Sequence, residues 1–230
     1  MVCRTAGQDI YSFGGILAAF LLAIGLPRLV CYERERGTDS LIRTSDMGCF
    51  YTWKSKVMFT IVYCAVVVSV IGVVSLLVNC SSFGFEGALS PIGECVYFRD
   101  AALPTMSNIA YCILQYVFLF LGTLYFAGFV LLLAALTKRT ALTIFLCGTS
   151  YLICMLYEYA GHIFAGIFGS VLGFFYRFGF GGYLLQASYS WSNLGQGLWT
   201  DVWKPILLVA IIIVLEFSGL WLICRRRARK

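Results

Sequence analysis

The sequence predicts an all-α polytopic membrane protein with about five transmembrane helices. Of its 230 residues, 60% are apolar and only 12% are charged, whereas charged residues make up about a quarter of a typical soluble domain. Uncharged runs of bilayer length recur along the chain, and the charged residues cluster between them. Because several spanning helices joined by short loops leave no room for a second folded unit, we expect residues 1–230 to form a single membrane domain.

The first two predicted spans flank a long polar stretch. The apolar run that begins at Tyr11 becomes long enough to span when it continues through Cys31, since a spanning helix needs about 20 residues. The second span, Val57–Val78, has 22 uncharged residues. Between the two, Arg28–Lys56 carries six basic and four acidic side chains, a density of charge that cannot lie in lipid. Residues 32–56 are therefore predicted to form a water-exposed segment, here called the platform.

The next two spans are separated from the second by a polar loop. Residues 79–104 contain Gly, Pro and charged side chains, and we expect them to form an outer loop. The third span lies within the 37 uncharged residues between Asp100 and Lys138, so its helix is either tilted or begins in the interface. The fourth span begins at Thr140 and is expected to break near Gly161, because a longer helix would overshoot the hydrocarbon.

The last part of the chain combines an unusual apolar segment with a final span. Residues 163–203 are rich in Gly and aromatic side chains and are predicted to form re-entrant or interfacial structure on the outer side. The final span, Pro205–Cys224, is followed by a basic tail, residues 225–230.

The distribution of basic residues orients the spans. Thirteen of the 17 Lys and Arg residues lie in Arg28–Lys56, in the turn at Lys138 and Arg139, and in the tail. Since positive charge concentrates in cytoplasmic loops, the platform and the carboxyl terminus are predicted to be cytoplasmic, in a plasma membrane, with the amino terminus outside. The basic residues report topology here, so we expect contact with membrane lipids and none with nucleic acid.

The platform is predicted to contain a short helix of its own. The first helix runs past the membrane and is expected to stop at Gly37. Thr38 or Asp39 can then cap a short amphipathic helix that contains Leu41 and Ile42. A short amphipathic helix across the cytoplasmic face is a shape that docks into a groove of a partner protein.

The order of residues in the platform resembles a known family. A Glu-rich charged run ends in Gly-Thr, a short helix with Leu follows, and a Lys opens the next span; the residues are Glu33, Glu35, Gly37, Thr38, Leu41, Arg43 and Lys56. In this order, and in the aromatic segment before the final span and the basic tail, the chain resembles the transmembrane subunits of ABC-2-type exporters. The turn before the second span often contains Pro in that family, where this chain has Asp46 and Met47.

The resemblance implies partners and a contact surface. A subunit of this family pairs with a second permease subunit, as a homodimer or a heterodimer, and with ABC ATP-binding subunits that use ATP and Mg. This chain has no G-x-x-x-x-G-K-[ST] motif, so we expect it to bind no cofactor and not to be an enzyme itself. The residues implied to contact the ATPase subunit are Glu33, Arg34, Glu35, Arg36, Gly37, Thr38, Leu41, Ile42 and Arg43. The family usually has six spans, so five imply a truncated chain, a misplaced start or a divergent short form.

Ionisable residues within the spans are further candidates for function. Glu158 and His162 lie four apart, on one face of a helix, and Glu216 stands in the final span. We expect Glu158 and His162 to line the translocation path or to form hydrogen bonds within the bundle. Glu216 is also a candidate for the path, and it must pair across helices, meet water or take up a proton. One alternative is an intramembrane enzyme that uses Glu158 and His162, although a lone His disfavours a catalytic metal site, and we expect no metal. A second alternative is a non-transporting accessory or immunity-type membrane protein.

The cysteines divide into two groups. Six lie within or at the ends of apolar runs and are interpreted as small apolar fillers: Cys31, Cys64, Cys112, Cys147, Cys154 and Cys224. Cys80 and Cys95 lie in the predicted outer loop and either form a disulfide or remain free thiols. The small residues of Phe118–Ala135 are predicted to allow helices to pack closely.

Overall fold

A computed structural model of the chain describes residues 14–37, 48–83, 89–91, 107–137, 139–160 and 203–228. These residues are almost entirely helical. The five helices are α1 (Gly15–Glu35), α2 (Gly48–Phe83), α3 (Asn108–Thr137), α4 (Thr140–Ala160) and α5 (Trp203–Ala228).

Four stretches of these helices are long and apolar enough to cross a membrane. They are Gly15–Glu33, Phe50–Val78, Asn108–Thr137 and Ile206–Arg225. Helix α4 offers a shorter apolar stretch, Thr140–Leu156. The helical, multi-pass character predicted from the sequence is therefore confirmed, and a fifth crossing by α4 stays a prediction.

Helix α3 is the centre of the bundle and contacts each of the other four helices. Its Ala127, Val130, Leu131 and Ala134 are fully buried. Helices α1 and α4 pack together on α3, and α5 packs on α3 and α2. The faces of α2 and α5 turned away from α3 expose rows of Val, Ile and Leu side chains, which suits contact with lipid because lipid tails are as apolar as these side chains.

Two glycines allow tyrosine side chains to reach the backbone of a neighbouring helix. A Cβ atom at Gly25 would lie 2.9 Å from the Tyr63 hydroxyl, which donates to the Leu21 carbonyl at 3.2 Å. In the same way, the Tyr116 hydroxyl donates to the Gly72 carbonyl at 3.2 Å. Each tyrosine therefore ties two helices together through a contact that an Ala in place of the glycine would crowd.

The contacts between helix ends fix the direction of each helix. The carboxyl-terminal end of α1 meets the amino-terminal ends of α2 and α4, and the carboxyl-terminal end of α5 meets α2 near its start. One end of the bundle, here called the basic end, therefore carries Lys56, Arg139 and Arg225. The grouping of basic residues predicted from the sequence thus corresponds to one end of the structure, and the compartment that it faces stays a prediction.

The helix limits agree with several boundaries expected from the sequence. Helix α1 continues past the predicted span and is followed by Gly37 with φ of 73°, a left-handed conformation that favours Gly and commonly terminates helices. Helix α2 continues through Phe83, so the first residues of the segment 79–104 are helical. The predicted short helix after Gly37, most of the outer loop and almost all of the segment 163–203 lie outside the described residues.

Candidate functional site

An ion pair joins α1 and α2, the two helices whose ends lie within the platform. The ammonium group of Lys56, near the start of α2, contacts the Glu33 carboxylate on the last turn of α1 at 2.5 Å. Both side chains are largely buried, with 13% of Lys56 and 27% of Glu33 exposed. Because neither charge is fully solvated, removal of either partner would leave the other charge poorly compensated, so the pair fixes these two helix ends relative to each other.

A second carboxylate on α1 binds the start of α4. Glu35 accepts hydrogen bonds from the Thr140 hydroxyl at 2.7 Å and from the Thr140 backbone amide at 3.2 Å. Thr140 is the first residue of α4, where backbone amides have no helical partner and the helix dipole favours negative charge. The Thr140 hydroxyl, and then its amide, lower the pKa of Glu35 below its ordinary value of 4.5. Glu33, Glu35, Lys56 and Thr140 are together called the junction.

A small polar network lies beside the junction. The Thr137 and Thr143 hydroxyls are 2.6 Å apart, and Thr143 also donates to the Arg139 carbonyl at 2.9 Å. The Cys31 thiol lies 3.9 Å from the Thr143 hydroxyl. These contacts close the turn between α3 and α4 and bring it against α1, so the basic end is held by polar contacts from four helices.

Aromatic side chains connect α2 to α5 at the same end. Trp53 lies 5.4 Å from Trp221, measured between ring centroids, and Phe50 lies 5.6 Å from Trp221. The Trp53 indole donates to the Phe217 carbonyl at 3.3 Å. Tryptophan with its polar edge satisfied is typical of the membrane interface.

The remaining predicted ATPase contacts are only partly described. Arg36 lies over the Tyr32 ring, 4.6 Å from its centroid, and Arg34 lies on the last turn of α1. Thr38, Leu41, Ile42 and Arg43 lie outside the described residues. The structure therefore gives Glu33 and Glu35 partners within the chain, and their contact with an ATPase stays a prediction.

Of the three ionisable residues predicted for the spans, only Glu216 has a described side chain. Glu158 lies on the last turn of α4, although its side chain is not described, and His162 lies outside the described residues. Glu216 lies on α5 and faces Gly128 of α3. A Cβ atom at Gly128 would overlap the Glu216 Oε2 atom and would lie 3.1 Å from its Cδ atom. The expected close packing of the segment 118–135 is thus seen at Gly128, where a carboxyl group fills the space.

The cysteines on the described helices agree with their predicted role as fillers. Cys31, Cys64 and Cys147 are buried free thiols. Cys31 donates to the Ala134 carbonyl at 3.7 Å, and Cys64 to the Thr123 carbonyl at 3.8 Å. The structure does not describe the side chains of Cys80 and Cys95, so a disulfide and two free thiols both stay predictions. Within the described ranges, no three His, Cys, Asp or Glu side chains are grouped as a metal site would require.

Sequence reasoning missed the partners of the junction residues. Glu35 and Thr140 are 105 positions apart, and no local pattern links an acid at one helix end to a Thr at the start of another. Lys56 opens the predicted second span, and its pairing with Glu33 was not predicted. This pair could have been predicted from the opposite charges of Glu33 and Lys56, because the short connection 36–47 keeps the end of α1 close to the start of α2.

The arrangement can transmit movement. Both ends of the connection 36–47 are attached to each other, and α1 is attached to α4 as well. A displacement applied to that connection would therefore reach three helices at once.

No protein-family model, curated protein or solved structure matches this chain.

Proposed function

We propose that this chain is the membrane-spanning subunit of an ABC-2-type exporter and that partner ATPases act on its platform. The junction is the observation that supports this proposal. A loop that merely connects two spans needs no bond between its ends and no bond to a third helix. Here the ends of the connection 36–47 are joined by Glu33 and Lys56, and Glu35 extends the attachment to α4.

The proposed mechanism follows from that attachment. ATP-driven closure of the ATPase subunits pushes on the platform, and the junction moves the ends of α1, α2 and α4 together. Such a movement changes which side of the membrane the bundle opens to. A second permease subunit completes the path, and substrate leaves from the cytoplasm or the inner leaflet. ATP and Mg are bound by the partner ATPase.

The test is co-purification of ATPase activity with the chain. A tagged chain is produced in its native cells, purified in mild detergent and assayed for Mg-dependent, vanadate-sensitive ATP hydrolysis. The informative variant is Leu41→Asp with Ile42→Asp, which places two charges at the predicted docking positions. Its matched control is Ser40→Asp with Ser45→Asp, which adds the same charge to the same segment at residues not expected to insert.

The expected result is ATPase activity with the wild type and the control, and loss of at least about nine-tenths of it with the Leu41 and Ile42 variant, since buried charge disrupts an apolar contact. All three proteins should elute identically from a sizing column. A change at Glu35 would not be informative here, because Glu35 also binds Thr140. Absence of ATPase activity from the wild type would refute the exporter proposal and favour the accessory-protein alternative.

A further inference from the structure

Glu216 occupies an unusual place for a carboxyl group. It lies near the middle of the apolar stretch Ile206–Arg225 of α5, nine residues and roughly 14 Å along the helix axis from Arg225. Its Oε2 atom is buried and has no hydrogen-bond partner among the described groups. An ionised carboxylate at this depth requires a cation, water or several donors, because lipid and apolar side chains solvate charge poorly.

The groups of the described helices that face Glu216 supply no positive charge. From α3, the Gly128 backbone lies against the carboxyl, and Tyr125 is within electrostatic range of it. From α4, Cys154 interacts with Tyr125. Helix α2 meets α5 through Phe50, Trp53 and Trp221 at the basic end, and its Lys56 is paired with Glu33. Within the described helices, no basic side chain forms an ion pair with Glu216.

We propose that Glu216 is a proton-binding site in the contact between α3 and α5, where the group bound against Gly128 is the neutral carboxylic acid. The neutral acid avoids the cost of a buried charge, and it can lie flat on the α3 backbone because Gly128 has no side chain. Removal of the proton would leave a carboxylate in that contact with no compensating cation among the described side chains, and α5 would be pushed from α3. This inference concerns the isolated chain and does not depend on an ATPase partner.

Chemical labelling gives a direct test. Dicyclohexylcarbodiimide partitions into membranes and reacts with protonated carboxyl groups: the acid adds to the carbodiimide and rearranges to a stable N-acylurea, with no leaving group. The purified chain in lipid nanodiscs is treated at neutral pH, and the modified residue is located by peptide mass spectrometry. We expect one adduct at Glu216, slower labelling in alkaline buffer, and no adduct at this position in Glu216→Gln.

Two glycine variants separate the effect of the α3 contact from general loosening of the bundle. In Gly128→Ala the new methyl group occupies the position of the carboxyl, so the carboxyl is displaced towards lipid and its labelling should accelerate by about threefold or more. Gly219→Ala is the control on α5, because the nearest atom to its Cβ would be Leu132 Cδ2 at 3.6 Å, an ordinary contact. Its labelling rate should stay within about twofold of the wild type, as expected of a tolerated substitution.

Infrared spectroscopy gives a second test that does not require dicyclohexylcarbodiimide to reach Glu216 between α3 and α5. The wild-type spectrum should contain a carbonyl stretch of a protonated carboxylic acid that is missing from Glu216→Gln. Glu216→Gln should also fold with an unchanged melting temperature, since its amide is neutral and of the same size. The proposal is overturned if that infrared band is absent, if a water-soluble carbodiimide labels Glu216 as fast as the apolar one, or if Glu216→Gln fails to fold.

Discussion

Replacing Lys56 with methionine would remove the charge from the ion pair of the junction while keeping most of the side-chain volume. The carboxylate of Glu33, which is only 27% exposed, would then lose its contact with the Lys56 ammonium group. A hydrogen bond to a charged group contributes about 1.5–3 kcal/mol, and the remaining exposure of both side chains reduces this to about 1.5 kcal/mol. At about 2–4 °C per kcal/mol for a protein of this size, the melting temperature should fall by roughly 3–6 °C.

The assay is thermal unfolding of the purified chain in one detergent, followed by tryptophan fluorescence. Lys54→Met is the matched control, since Lys54 is an exposed lysine two positions away on the same helix, and it should shift the melting temperature by less than about 2 °C. The double variant Glu33→Gln with Lys56→Met should be more stable than the sum of the single changes predicts, by about 1 kcal/mol. Additivity of the two single changes within about 0.5 kcal/mol would show that the pair does not hold α1 to α2.

Three further outcomes are expected from the same assay. Thr140 donates hydrogen bonds to Glu35 and lowers its folded-state pKa below the ordinary value of 4.5. The stabilising effect of the Glu35 carboxylate is therefore present above pH 4.5 and is lost as the pH falls through the lowered pKa. The melting temperatures of wild type and Glu35→Gln should differ at neutral pH and converge in acid. Gly37→Ala should lower the free energy of unfolding by about 1 kcal/mol, because φ is 73° and no atom of the described neighbours lies within 4 Å of the added Cβ, so backbone strain is the expected cause; Gly37→Asn should lower it less. Tyr116→Phe should lower the free energy of unfolding by about 0.5–1.5 kcal/mol, because the hydrogen bond to the Gly72 carbonyl is lost. An unchanged melting temperature would show that this bond contributes nothing to stability.

The helices could be predicted from the sequence because lipid imposes a simple rule. Backbone groups in hydrocarbon must be satisfied within the segment, so uncharged runs of sufficient length become helices. Val57–Val78 lies inside α2, and Pro205–Cys224 inside α5. Gly37 was also predictable as a helix end, since Gly adopts the left-handed conformation without a steric cost.

The contacts between helices could not be predicted in the same way. Charge pattern indicates that Glu35 and Lys56 lie near water, but it carries no information about which groups meet across the bundle. Pairing depends on the rotation and register of each helix, and these are set by packing of small and large side chains. For this reason Glu216 was identified as a residue of interest from its charge, whereas its position against Gly128 needed the structure.

The central position of α3 has a consequence for synthesis of the protein. Helices α1 and α2 are made before α3, and each of them packs against α3. At about 5–20 residues per second, the first two helices wait several seconds in the membrane before residue 137 completes the surface on which they assemble. Chains that stop before α3 should therefore be good substrates for membrane quality-control proteases, and chains that end after α4 should persist longer.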